Sequence, residues 1–252
     1  MQIAVRLKFV AILIYCVFGS FISTQAEAAR PLALVYRGPG ACPHDGCHEA
    51  AAAAAFARGF DVEYVTPESL TPSTFVGASL WVQPGGNAIP VAKKLGPEKL
   101  ALIREFVRDG GAYAGFCAGG FLTEVTVNDA ETVAGLGIIP VGTYDYPIDS
   151  KEFGVPIEVN WHGLRRNMYF YKGPAFKPAH HVDHYYREFA WYPNGAAAGI
   201  ETVFGRGGVA VTGAHPEAPL SWKDDADYTD PDGSDLYFAQ ELIDRAMRLS
   251  LQ

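Results

Sequence analysis

The chain alternates short apolar runs with helix-forming stretches, and glycine or proline cuts nearly every junction. Leu32–Tyr36, Asp61–Thr66, Ser79–Gln83 and Ala112–Phe116 have the length and residue types of strands. Between them, Glu49–Arg58 is Ala-rich and stops at Gly59. A second helix is expected to open at Pro97, to place Leu100, Ile103 and Val107 on one face, and to stop at Gly110-Gly111. Strands joined through helices lie parallel and are covered on both faces. The expectation is therefore an α/β fold of three layers with a mostly parallel sheet. Gly137–Ala214 departs from this rhythm: it is rich in Val, Ile, Tyr and Phe with repeated Gly and Pro breaks, and it reads as strands and loops. Ser234 or Asp235 then caps a closing helix with Leu236, Ala239, Ile243 and Ala246 on one stripe. No repeat or long linker divides residues 29–252, which read as one domain.

The N-terminus has a different pattern. Arg6 and Lys8 precede an uncharged run from Phe9 to Ile22, and Ala26-Glu27-Ala28 follows. A basic start, an apolar stretch and an A-x-A site describe a secretory signal peptide over residues 1–28, cleaved after Ala28. The competing reading is a retained anchor, but the run is short against the roughly 20 residues of a membrane span. Lipoprotein processing at Cys16 fits poorly with Tyr15 before it. The expected product is periplasmic or extracellular, without a stable membrane anchor. Loss of Arg6, Lys8 and Glu27 takes the net charge from −8 to −9, a sign that disfavours nucleic acid and anionic membrane as partners.

Three short motifs carry the chemistry. Gly115-Phe116-Cys117-Ala118-Gly119 lies where a buried strand meets a helix, a nucleophile elbow with Cys in place of Ser. Small neighbours permit the tight turn, and a helix N-terminus favours the thiolate. Pro84-Gly85-Gly86 ends the preceding strand, where the N–H groups of Gly86 and Ala118 can hold an oxyanion. His215-Pro216-Glu217 follows the apolar run Gly208–Thr212, and two residues apart in extended chain Glu217 can orient His215. Each motif has an ordinary structural alternative, namely a core cysteine, a turn and a surface turn. Their order along the chain is more telling than any one of them.

That order, Gly-Gly, then Cys, then His-x-Glu, resembles the class I glutamine amidotransferase-like fold. A closer resemblance rests on Tyr36-Arg37-Gly38-Pro39-Gly40, Gly115–Gly120, Tyr169–Phe176, Ala190-Trp191-Tyr192 and Gly205–Glu217, which are similar to the biotin–protein ligase N-terminal domain family. The resemblance implies a flavodoxin-like three-layer fold with Cys117, His215 and Glu217 at triad positions, in a domain that stands alone in exported bacterial proteins. It does not imply biotin ligation, because the ligase and biotin-binding domains are absent. Glutamine-hydrolysing members carry Gln at the position of Phe121. An aromatic ring cannot supply those hydrogen bonds, so glutamine is a doubtful substrate.

The remaining polar clusters have plainer readings. Cys42 and Cys47, in the first strand-to-helix loop, are expected to form a local disulfide in an oxidising compartment. The alternative is a metal held by Cys42, His44, Cys47 and His48. The pairing leaves Cys117 as the odd thiol. His180, His181, Asp183 and His184 lack a helix to align them as ligands and read as a solvated loop. The acidic run Asp224–Asp235 echoes part of a calcium loop at Asp230, Asp232 and Gly233, but Tyr228 and Ala239 stand at ligand positions, and a solvated loop is the simpler reading. Trp161, Tyr169, Phe170, Tyr171, Trp191 and Tyr192 belong mostly to the core, with some free to line a cleft, and Arg165 or Arg166 is a candidate carboxylate clamp.

These observations favour an exported cysteine-nucleophile amidase or acyl-transfer hydrolase acting on a small molecule or peptide. No cofactor and no metal is expected. A non-catalytic binding module on the same fold is the alternative, and an ammonia-producing glutaminase subunit ranks third.

Overall fold

The computed structural model describes residues 29–42, 46–127, 132–148, 154–178, 185–225 and 230–250. The expected leader and the His180–His184 cluster lie outside these residues. Five strands make the parallel heart of the sheet: β1 (Leu32–Tyr36), β2 (Asp61–Val65), β3 (Ala78–Gln83), β4 (Ala112–Phe116) and, from much later in the chain, β11 (Gly207–Thr212). Their spatial order is β2-β1-β3-β4-β11, every neighbouring pair parallel.

Side chains alternate across this heart as strand pleating requires. Ala33, Val35, Leu80, Val82, Ala112, Ala114 and Ala210 face one helical layer, formed by α1 (Cys47–Ala57) and α5 (Leu236–Ser250). Leu34, Tyr36, Trp81, Tyr113, Val209 and Val211 face the other, formed by α2 (Ala88–Arg108). The three-layer α/β expectation is therefore met. The alanines of α1 bring its backbone close to the sheet, and Gly59 at φ 100 ends it as expected.

The span of α2 holds two helical segments. Asn87 caps its start, its side chain accepting a hydrogen bond from the Ile89 N–H at 3.1 Å. Gly96 then breaks the helical path with φ 66, and Pro97 restarts it. Pro97 thus opens the second helical segment of α2, as expected, and buries Leu100, Ile103 and Val107; the unexpected part is the shorter segment before it, from Ala88.

The Gly137–Ala214 region supplies the antiparallel part. β6 (Val155–Trp161) and β7 (Leu164–Phe170) form a hairpin, with β9 (Tyr186–Trp191) and β10 (Ala197–Phe204) linking it to β11 in the order β11-β10-β9-β6-β7. A ribbon of β5 (Val141–Asp145) and β8 (Pro174–Pro178) leaves this path and touches β10 at Ala197↔Phe176. The sheet is thus parallel in its core and antiparallel along the extension.

The acidic run corrects its own expectation. Asp235 is fully buried, and so is Lys223 of α4 (Leu220–Asp225). Lys223 Nζ pairs with Asp235 Oδ2 at 3.1 Å and also with Asp230, while Arg166 Nε donates to Asp235 Oδ1 at 3.0 Å. Asp232 accepts from the Asn167 N–H at 3.0 Å. What reads as a solvated loop is a buried ion network joining β7, α4 and the start of α5, which Ser234 Oγ caps by accepting the Leu236 N–H.

A candidate active site at the ends of the parallel strands

Every parallel strand but β2 delivers a site residue just past its C-terminal end, where ligands approach open α/β sheets. After β1 come Gly40 and Cys42, after β3 Gly86, after β4 Cys117 and after β11 His215, and all of them line one cleft of about 950 Å³.

Cys117 sits at the elbow between β4 and α3 (Ala118–Phe121) with φ 46, a left-handed conformation uncommon for a side-chain-bearing residue. Its N–H donates to the Thr212 carbonyl at 2.8 Å, which ties the elbow to β11. The flanking glycines are sterically required. A Cβ on Gly115 would lie 2.8 Å from Gly119 backbone, and one on Gly119 would lie 2.7 Å from the Gln83 carbonyl oxygen. α3 is only four residues long, so few aligned peptide dipoles support a charge at Cys117. That part of the sequence expectation is replaced by a side chain, His215.

His215 is buried, and its Nδ1 lies 2.9 Å from Glu217 Oε1, also buried. Burial alone pulls the ring toward its neutral form. The negative charges of Cys117 and Glu217, with hydrogen bonds to both, outweigh it and push the His215 pKa up to about 10. Gly85 makes room for this ring, since a Cβ there would lie 2.3 Å from His215 Cε1. The structure therefore brings Cys117, His215 and Glu217 together in one buried group. Gly86 lines the cleft beside them, while Gly85, Ala118 and Glu217 lie behind the lining.

Tyr169 and Trp222 meet the His215 ring edge-on, each with ring centroids 5.7 Å away. The same two rings pack with Cys42 and Cys47, which form the expected disulfide with a Cα–Cα distance of 5.3 Å. The bridge thus backs one wall of the cleft, and neither cysteine is available as a metal ligand. Phe121 is half-buried and contributes an apolar surface to the same cleft. Trp161, Phe170 and Tyr192 are core residues.

Two expectations fail here. Arg166 is committed to Asp235, Asp232 and the carbonyls of Gly233 and Ser234, and Arg165 pairs with Glu158 across the β6–β7 hairpin. Neither lines the cleft. The lysines that do are Lys172 and Lys177, in a region whose strands are legible only as a group. Tyr171, next to Lys172, places its carbonyl oxygen 3.6 Å from Cys117 Sγ. Its sequence signal was no more than an aromatic cluster.

Comparison with known proteins bears on the fold. Residues 32–133 match the family model described as biotin–protein ligase, N terminal. No curated protein matches the sequence. Among solved structures, a glutamine amidotransferase superposes with a TM-score of 0.59 at 16% identity, covering 84% of this chain and 98% of its own. A glutamine amidotransferase from Thermotoga maritima gives 0.56 at 15% identity, covering 88% and 99%. At such identities the likeness shows fold alone. The family match ends before β5, so it includes Cys117 but not His215 or Glu217. The chain has a class I glutamine amidotransferase-like fold, and its residues 32–133 carry the sequence pattern of the biotin–protein ligase N-terminal family.

Proposed function

We propose that the protein is a cysteine-nucleophile amidase or acyl-transfer hydrolase in which Cys117, His215 and Glu217 act as a triad. The observation that carries this reading is the buried His215 ring, 2.9 Å from Glu217 Oε1 on one side and lining the same cleft as Cys117 on the other. The Cys117 thiolate attacks a carbonyl carbon, a C–S bond forms, and the carbonyl electron pair moves onto oxygen toward the N–H groups of Gly86 and Ala118. As the C–N or C–O bond breaks, the leaving group takes the proton from His215. Water then gives that proton back to His215 while its oxygen attacks the thioester, releasing the acid and the thiolate. Glu217 keeps Nδ1 protonated and the ring aimed throughout.

The test is a screen of amides, peptides and esters with the wild type and Cys117→Ala, read by intact mass. An acyl adduct on the wild type and none on the variant supports the reading. Absence of any adduct and any turnover in both sinks it. One contact favours a second reading, a binding module without turnover: the Tyr171 carbonyl, 3.6 Å from Sγ, roofs the thiol. In that case both proteins bind the same ligands equally well and convert none.

The raised His215 pKa also sets a pH dependence. The folded value of about 10 exceeds the ordinary 6.5, so the proton stabilises the folded state. That contribution is present in full below about pH 6.5 and is lost as pH rises through about 10. Melting temperature is expected to fall across this window, and turnover only near its upper end, where the folded ring itself loses its proton. The decline in melting temperature is expected to be shallower in Cys117→Ala, which lacks one of the two charges. Equal slopes in the two proteins would contradict the Cys117–His215 coupling.

Gly85→Ala offers a separate check, because the added methyl displaces the His215 ring. A shift of about 1 Å lowers turnover about 100-fold. Turnover unchanged by Gly85→Ala would show that the ring position is irrelevant to the reaction.

Export belongs to the same proposal, supported by the Cys42–Cys47 disulfide and the leader-like residues 1–28. Among the described residues no helix is long and apolar enough to cross a membrane. A protein recovered from its native host with Ala29 as first residue is the expected result, and one that begins at Met1 would refute cleavage.

A further inference from the structure

Lys172 is the next residue along from the carbonyl that touches the nucleophile, and its backbone is unusual. It has φ 48, in the left-handed region that a lysine adopts only when its surroundings compel it. Those surroundings are backbone on backbone. A Cβ on the following Gly173 would lie 1.8 Å from the Gly213 oxygen, the His215 N–H donates to the Tyr169 carbonyl at 2.9 Å, and the Tyr146 N–H donates to the Gly173 carbonyl at 3.1 Å. The turn between β7 and β8 is thus clamped to the segment that carries His215. Its side chain lines the cleft, with Nζ 5.7 Å from the Tyr171 ring centroid. Lys177 lines the same cleft, with Nζ 5.6 Å from the Tyr144 ring. Glu124 and Asp145 line it too, yet among the described residues no ion pair joins a carboxylate to either lysine. Glu124 is turned to the Thr143 N–H and hydroxyl.

We propose that Lys172, assisted by Lys177, is an anion anchor, and that the substrate is an amide, peptide or ester carrying a carboxylate near its scissile carbonyl. This rests on the reading of Cys117 as a nucleophile. A strained turn that presents Lys172 to the same cleft as Cys117, with its ammonium over the Tyr171 ring and no carboxylate paired to it among the described residues, matches an anionic group arriving with the substrate. Phe121 supplies an apolar surface for the rest of the acyl portion.

Alkylation separates the anchor from the nucleophile without knowledge of the natural substrate. Iodoacetate and iodoacetamide both form a C–S bond at Cys117 with loss of iodide, and they differ in the charge near the reacting carbon. The protonated His215 favours iodoacetate in every variant, so the quantity to read is the change in the iodoacetate-to-iodoacetamide rate ratio. In Lys172→Gln the ratio is expected to fall about fivefold, the scale of one partly solvated charge interaction. Lys172→Arg is expected to keep it, and high salt to shrink the wild-type difference. The iodoacetamide rate in each variant reports whether the site is still folded. An unchanged ratio in Lys172→Gln, with iodoacetamide still reacting faster than with a free thiol, overturns the anchor and leaves the nucleophile standing. Wild type reacting no faster than a free thiol with either reagent overturns the nucleophile, and the anchor with it.

Discussion

His215→Ala is expected to lower turnover about 10⁴-fold, close to the loss in Cys117→Ala, and the double variant is expected to lose little more. The reason is that the two groups act as one unit. Without the imidazole, Cys117 has no proton carrier for the leaving group, and without the sulfur the imidazole has nothing to serve. The variant also leaves the Glu217 carboxylate buried with its partner gone. A stranded buried charge costs about 3–5 kcal/mol, enough to confuse lost chemistry with lost folding. His215→Ala combined with Glu217→Gln removes that charge. Its turnover is expected to stay as low while its stability recovers, and unfolding curves taken beside the kinetics separate the two effects. Retention of more than a tenth of wild-type turnover in the combined variant would exclude the triad.

An equally large loss of stability is expected away from the reacting atoms. Lys223→Met keeps the aliphatic stem but strips the ammonium from Asp235 and Asp230, and is expected to destabilise the fold by about 3–5 kcal/mol. Arg166 remains on Asp235 Oδ1, but Oδ2 loses its partner. Burial already pushes the Asp235 carboxyl up, against the pull of Lys223 and Arg166. Removing Lys223 pushes it further, so the folded variant binds a proton more tightly than the unfolded chain. The deficit should accordingly shrink as pH falls and the carboxyl is neutralised. Denaturant titrations at neutral and acidic pH check both points, and a deficit under 1 kcal/mol at neutral pH would show that the pair is dispensable. Lys223 follows Trp222, whose ring meets His215 and Tyr169, so the variant is also expected to loosen the wall of the cleft.

The contrast between Cys117 and Lys223 shows where sequence reading succeeds. The signal of the elbow is local: the Gly-x-Cys-x-Gly spacing, the strand before it and the turn after it lie within a dozen residues, although Thr212 and Gln83 complete its packing. The same holds for His215-Pro216-Glu217, whose two side chains meet across a single intervening residue, and for the Cys42–Cys47 bridge. Lys223 is the opposite case. Acidic residues in a Gly- and Pro-broken run are ordinarily solvated, and what buries Asp235 is Lys223 together with Arg166, which comes from β7, far back in the chain. The same reason moved Arg166 out of the cleft. Gly96-Pro97 is legible as a helix start because both residues act locally, whereas the short segment capped by Asn87 before it has no comparable signal. The antiparallel extension was legible as strands but not in its pairing, since β8 meets β10 at a single position and its neighbours follow from tertiary packing.

The split between parallel heart and antiparallel extension has an evolutionary side. Cys117, Gly86 and His215 hang from strands whose neighbours are fixed by hydrogen-bonded register on both sides. Tyr171, Lys172 and Lys177 hang from a turn and a ribbon attached to the sheet at few points. Reaction chemistry and molecular recognition are therefore encoded in separable stretches of the gene. A lineage can exchange the exposed side chains of Lys172 and Lys177 and acquire a new preference, while Gly173 and the buried Ala175 and Phe176 hold the ribbon in place.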